Sequence, residues 1–371
     1  MLKLNTQVSI VSSLLDSMRA VRCAILMVCF SLFMPSGFAA DADPLFQTHK
    51  ILELTLKGPL KTISRKRELD VRYPAVLTYR DEENETIELK VELEARGNFR
   101  RRRSTCKFTP LKLIFNKNHT EGTVFENQKK LKLVNQCDPV NRKYEEYLML
   151  EYLAYRVFNE ITPLSFSVRL ANITYEEVDS KRKPRRNLAF FIEHKKRLAK
   201  RIGAKQLKIQ KSSAVDIDSR HLNQGSLFQL LIANVDWSAT HGKQEECCHN
   251  YKLFRLADER LLSIPYDFDL AGIVNAKYSK PFVGMGQTSI RKRLYRGYCR
   301  NNYLLDENIE MFNNKKAAIL ALYQEFPYLS DRKKKAAIAF INGFYKIINN
   351  EKRVKRVVMN WCHKSTMRII E

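Results

Sequence analysis

Ile87-Glu-Leu-Lys-Val-Glu-Leu93 alternates apolar and charged residues without a break, which puts one side of an extended chain in a core and the other in water. The same period of two runs through Ile51-Leu-Glu-Leu-Thr-Leu56 and Ala75-Val-Leu-Thr-Tyr79 before it, and through Leu111-Lys-Leu-Ile-Phe115 and Leu131-Lys-Leu-Val134 after it. Five half-buried strands in succession predict an antiparallel sheet over about residues 51–134. The period then lengthens. Tyr147, Leu148, Leu150, Tyr152, Leu153, Tyr155, Val157 and Phe158 recur three and four apart, which predicts a well-buried helix from Tyr144 to Glu160. Ser165 to Leu170 and Leu188 to Glu193 return to strand character, and Lys181-Arg-Lys-Pro-Arg-Arg186 between them reads as an exposed hairpin tip.

Further on, Gly225-Ser-Leu-Phe-Gln-Leu-Leu-Ile-Ala233 predicts a buried helix, followed by a strand pair at Tyr251 to Phe254 and Leu261 to Ile264. Lys315 to Phe326, Asp331 to Asn349 and Glu351 to Trp361 carry apolar residues at helical spacing. A β-rich half, 41–193, and a mostly helical half, 194–371, agree with the two units that 371 residues predict.

The N-terminus bears on the compartment. Arg19 and Arg22 precede the apolar run Cys23 to Met34, and Pro35, Ser36, Gly37 and Ala39-Ala40 follow it. This is the pattern of a cleaved signal peptide over residues 1–40, and the run is too short to span a bilayer. The expected location is therefore periplasmic or secreted, with no transmembrane segment once the signal is removed. Cys106, Cys137, Cys247, Cys248, Cys299 and Cys362 remain, an even set that predicts up to three disulfides in an oxidising compartment. Cys106 and Cys137 flank neighbouring strands and are expected to pair, leaving Cys247 and Cys248 to bridge to Cys299 and Cys362.

Composition excludes collagen-like and disordered classes: 44% of residues are hydrophobic, with only 12 Gly and 11 Pro. The net charge of +25 predicts an anionic partner. Much of it is local, because Lys181 to Lys211 holds 13 Lys and Arg against Glu193 alone. No aromatic-interleaved motif accompanies these runs and export removes the usual target, so nucleic acid is not expected as the partner.

Reactive side chains crowd into Asn234-Val-Asp236, His249-Asn250-Tyr-Lys-Leu-Phe254 and Ile264-Pro-Tyr-Asp-Phe-Asp269. Metal-assisted phosphoryl transfer needs a carboxylate beside the attacking hydroxyl, and an Asn and an Asp to hold the cation. These three stretches supply each. Asp267 and Asp269 share one face of an extended chain, where their charges repel unless a cation or proton lies nearby.

At these residues the chain resembles the spore coat protein H (CotH)-like kinases. Asn234-x-Asp236, His249-Asn250 and Pro265-Tyr-Asp267-Phe-Asp269 match that family's recurring pattern, as do Arg96-Gly-Asn98 and Glu151-Tyr-Leu-Ala-Tyr155 upstream. The resemblance covers about residues 90 to 300. It implies an α+β chain with a protein-kinase-like bilobal fold, an antiparallel β-rich N-lobe with one long helix and a mostly helical C-lobe carrying the catalytic and metal loops. It further implies an exported atypical kinase that uses ATP with Mg2+ or Mn2+ to phosphorylate an acidic protein or a glycan hydroxyl. Nucleotidyl transfer would use the same metal ligands. Asp236 would be the catalytic base, and Asn250, Asp267 and Asp269 the metal ligands. Lys112 or Lys132 would contact the nucleotide phosphates and pair with Glu151, Arg96 would lie over those phosphates, and Glu193 would mark the connection between lobes. The alternative is an inactive, pseudokinase-like protein that docks an anionic envelope polymer or acidic protein.

Overall fold

The computed structural model describes residues 41–178, 183–242 and 247–364. The signal peptide expected over 1–40, and Lys181 and Arg182 of the expected hairpin tip, lie outside the described residues. The described residues form one compact unit.

Seven strands make a closed barrel: β1 (Leu52–Gly58), β2 (Arg72–Arg80), β3 (Thr86–Ala95), β4 (Leu111–Phe115), β5 (Lys130–Val134), β6 (Val168–Glu177) and β7 (Arg185–Ile192). Their order around the barrel is β1-β2-β3-β4-β5-β7-β6, and the ring closes where β6 runs parallel to β1, with Leu52 opposite Ala171 and Gly58 opposite Glu177. Closure leaves no edge strand to protect. The alternation seen in the sequence fills the interior: Leu56, Leu77, Leu93, Leu113, Leu133, Ile173 and Phe191 are fully buried there. Gly58 is dictated by that packing, since a Cβ on it would stand 3.0 Å from the Cβ of Ala75 and 3.1 Å from Leu93.

This overturns the protein-kinase-like bilobal fold expected from the resemblance. An open antiparallel sheet would leave β1 with one neighbour, whereas here it has two, one of them parallel, and β6 and β7 join the ring from beyond the long helix. Alternation reports which face of a strand is buried and says nothing of what pairs with its edges. Closure is therefore invisible to it.

Strands β6 and β7 carry apolar residues on both faces. Ile173, Ala189 and Phe191 point into the barrel, while Leu170, Leu188, Phe190 and Ile192 pack outward with the long helix α2 (Arg142–Ile161). Helix α1 (Leu60–Lys66) buries Leu60 and Ile63 against the barrel, and Asn141 caps α2 by accepting from the Lys143 backbone N–H. On the far side of α2 the second core continues through α4 (Ser219–Ile232), α5 (Leu305–Asn314), α6 (Lys316–Gln324) and α7 (Asp331–Ile348). The short α3 (Lys195–Arg201) and α8 (Glu351–Val354) complete the helices that the described residues form. A small antiparallel sheet runs in the order β10-β9-β8, formed by β8 (Ala204–Gln206), β9 (Tyr251–Leu256) and β10 (Leu261–Pro265).

Cys106 and Cys137 are bridged, as expected. The other two bridges differ from expectation: Cys247 joins Cys248, and Cys299 joins Cys362. Backbone pairing decides the second of these, because the Cys299 N–H donates to the carbonyl of His363 and brings the two chain segments together. Three disulfides are compatible with an exported protein. Among the described residues no helix is long and apolar enough to cross a membrane.

Candidate functional site

The site is built from three loops that meet beside α2. The first follows α4, whose last turn is closed by Ala233 in the left-handed conformation (φ 51°). Asn234 then turns the chain: its side-chain oxygen accepts from the Asp236 N–H at 3.0 Å, and its carbonyl accepts from the Trp237 indole at 3.1 Å. Arg296 braces the same turn by donating to the carbonyls of Val235 and Trp237. The Asp236 carboxylate is thereby presented on a fixed backbone.

Two neighbours in the second loop hold that carboxylate. Nε2 of His249 stands 2.6 Å from one oxygen, and the Asn250 side-chain amide donates to the other at 3.0 Å and to the Asp236 carbonyl at 2.7 Å. Asn250 itself has φ 53°, and Asp267 in the third loop has φ 66°. Asn and Asp tolerate this left-handed region better than most side chains, and residues held there concentrate at functional sites. The third loop hangs from α2, where the Tyr155 hydroxyl accepts from the Asp267 N–H at 2.8 Å, and is tied to the second loop, where Tyr266 donates its N–H to the Asn250 carbonyl at 3.0 Å.

The electrostatics follow from this crowding. Burial, reinforced by the neighbouring Asp267 charge, pushes the Asp269 carboxyl up to about 7, although Arg100 and the Tyr278 hydroxyl favour its ionised form. Burial pushes Glu151 up to about 8, with Arg100 opposing the shift. Near Asp267 is Lys132 on β5, its Nζ 4.8 Å from the centre of the Tyr266 ring. Burial first, and then the Arg96 charge, lower this lysine to about 7, while Asp267 pulls in the other direction.

The sequence-predicted residues therefore divide into two groups. Asp236, Asn250, Asp267, Asp269, Glu151 and Lys132 come together. Lys112 does not, because it lies on the outer surface of β4 and pairs with Glu94 on the neighbouring strand. Glu151 pairs with Arg100 at 3.2 Å, so the expected lysine–glutamate pair is replaced by an arginine–glutamate pair. Arg96 is near, but its guanidinium donates to the carbonyls of Leu111 and Leu133 and thereby secures β4 and β5. Glu193 is engaged elsewhere: Arg201 grips it at 3.0 and 2.8 Å, and it accepts from the Ser167 N–H. Together they line a separate charged cavity of about 290 Å³ with Asp41, Asp43 and Arg197.

Arg100, His249, Tyr155 and Tyr278 belong to the site without having been singled out as site residues. Arg100 stood in plain view within the run Arg100-Arg-Arg-Arg103, but four adjacent arginines give no sign of which one turns inward. Carboxylates and an amide oxygen are donor types that divalent cations take. Asp267 and Asp269 repel one another, and the Asn250 amide keeps its oxygen free of the Asp236 pair. Among the described residues, however, no three His, Cys, Asp or Glu side chains stand ready to hold a metal. Compared with protein-family models and with curated proteins, the chain matches none.

Proposed function

We propose that this chain is an exported phosphotransferase, dependent on a divalent cation, that moves a phosphoryl group from a nucleoside triphosphate to a hydroxyl on an acidic protein or a glycan. The observation that supports it is the meeting of Asp236, Asn250, Asp267 and Asp269 from three loops, opposite the cations Lys132 and Arg100. The likeness of these motifs to those of the CotH-like kinases points the same way and carries no claim about the fold.

Each group has a role that its surroundings suit. Asp236 accepts the proton of the attacking hydroxyl: His249 and Asn250 each use one lone pair on a different oxygen, and so fix the carboxylate while leaving it acceptor capacity. Lys132, held between Tyr266 and Asp267, gains a compact partner when a phosphate enters. Asp267, Asp269 and the Asn250 amide oxygen would hold Mg2+ or Mn2+, which when bound neutralises charge on the phosphoryl oxygens.

One observation favours the alternative, a binding protein without turnover: Arg100 already neutralises Glu151 and Asp269. Incubation with γ-labelled ATP and exported acidic proteins or glycans separates the two. The phosphotransferase reading expects label transfer that requires Mg2+ or Mn2+ and disappears in Asp236→Asn. Nucleotide binding without transfer, under every acceptor tried, leaves the binding protein.

A further inference from the structure

Arg100 enters the acidic end of the site from the loop after β3. Its Nη1 lies 3.2 Å from a Glu151 oxygen and 3.6 Å from an Asp269 oxygen, and its Nη2 donates to the Asn135 carbonyl at 3.2 Å. The Nε is buried and has no partner among the described residues. This is an incomplete grip. Arg201 engages Glu193 through two parallel bonds, Nε and Nη2 each to its own oxygen, and Arg197 engages Asp43 in the same way. Those are the forks of permanent partners. Arg100 instead gives each of its two carboxylates one contact and leaves a buried donor unused, which costs stability.

The position of the guanidinium matters as much as its geometry. It stands between two of the acids of the site, in contact with both. A phosphate offers a guanidinium two oxygens that its fork can grip at once, which Arg100 does with neither carboxylate here.

We propose that Arg100 is an exchangeable counter-ion: it holds Glu151 and Asp269 in the free protein, then moves to the phosphate oxygens of the nucleotide and yields Asp269 to the divalent cation. The inference rests on the phosphotransferase reading. Its consequence is coupling, because nucleotide draws away the cation's competitor, so nucleotide and cation each tighten the binding of the other by the same factor.

The test is Mn2+ binding, read from the free-Mn2+ spin-resonance signal, with and without a non-hydrolysable ATP analogue. Wild-type protein should bind Mn2+ weakly alone and at least about tenfold more tightly with the analogue. Arg100→Gln should bind Mn2+ about tenfold more tightly than wild type without analogue, and the analogue should add little. Arg100→Lys, which keeps the charge and loses the fork, should retain weak Mn2+ binding and lose analogue affinity. Circular dichroism confirms folding, and Arg100→Lys stands in if Arg100→Gln does not fold. Equal Mn2+ affinity in wild type and Arg100→Gln, with analogue binding intact, overturns the exchange and leaves the phosphotransferase reading standing. No Mn2+ uptake by any variant, with or without analogue, overturns both.

Discussion

The barrel interior and the site beside α2 are both buried, yet they are filled in opposite ways. Leu56, Leu77, Leu93, Leu113, Leu133 and Phe191 occupy the first with no ionisable group among them, whereas Glu151, Asp269 and Lys132 crowd into the second. The barrel gains its stability from area removed from water. The site forgoes that gain and holds charges whose ordinary ionisation is shifted by burial. Such groups concentrate at functional sites, which is why the proposed function is placed outside the barrel.

The contrast can be broken from either side. Asp236→Asn should lower phosphoryl transfer by about 10²–10⁴-fold, the usual worth of a general base, with little change in melting temperature. Phosphoryl-transfer rates and thermal unfolding of one preparation check it. Leu113→Ala, inside the barrel, should do the reverse, costing about 2–5 kcal/mol in urea unfolding while activity per folded molecule is kept. Cys106→Ser with Cys137→Ser opens a loop whose ends are 31 residues apart, and should cost about 3–4 kcal/mol by the same measurement.

Lys132→Met sharpens the comparison, because it makes one corner of the site resemble the barrel. It should raise stability at pH 7 by about 1–2 kcal/mol and weaken nucleotide binding. The pH dependence gives a second check. The folded pKa of Lys132, about 7, lies below the 10.5 of a free lysine, so between those values the unfolded chain binds one more proton than the folded chain. Stability from this group therefore rises with pH across that window, and the slope should vanish in Lys132→Met. The smallest effect belongs to the pair beside the site: Lys112→Met with Glu94→Gln removes both partners of a largely buried ion pair, which is often near neutral, so stability should change by less than about 1 kcal/mol with nucleotide binding unaltered.

Much of the secondary structure was legible in the sequence. Period-two alternation located the first five barrel strands, and the spacing from Tyr144 to Glu160 located α2, because both patterns report directly which face is buried. Strand β6 runs on to Glu177, past the expected Ser165 to Leu170, because both its faces are apolar. The closing pair β1–β6 was not legible, since parallel pairing across the whole barrel depends on sheet curvature. At the site, Asp236, Asn250, Asp267 and Asp269 could be read because they lie in short, spaced motifs. Arg100 and Tyr278 could not, because distant segments bring them there. Lys112 and Lys132 have the same spacing on adjacent antiparallel strands and stand opposite each other. Only the tertiary surroundings, Glu94 for one and Asp267 with Tyr266 for the other, tell them apart.

The central claim is that the site holds a nucleotide through a divalent cation on Asp267 and its neighbours. Calorimetric titration of the ATP analogue tests it most directly, on wild type and Asp267→Ala, with Mg2+ and with chelator. The account predicts saturable binding by wild type that requires Mg2+ and is lost in Asp267→Ala at unchanged melting temperature. Absence of binding by wild type at millimolar nucleotide and Mg2+, or equal binding by Asp267→Ala, would contradict it.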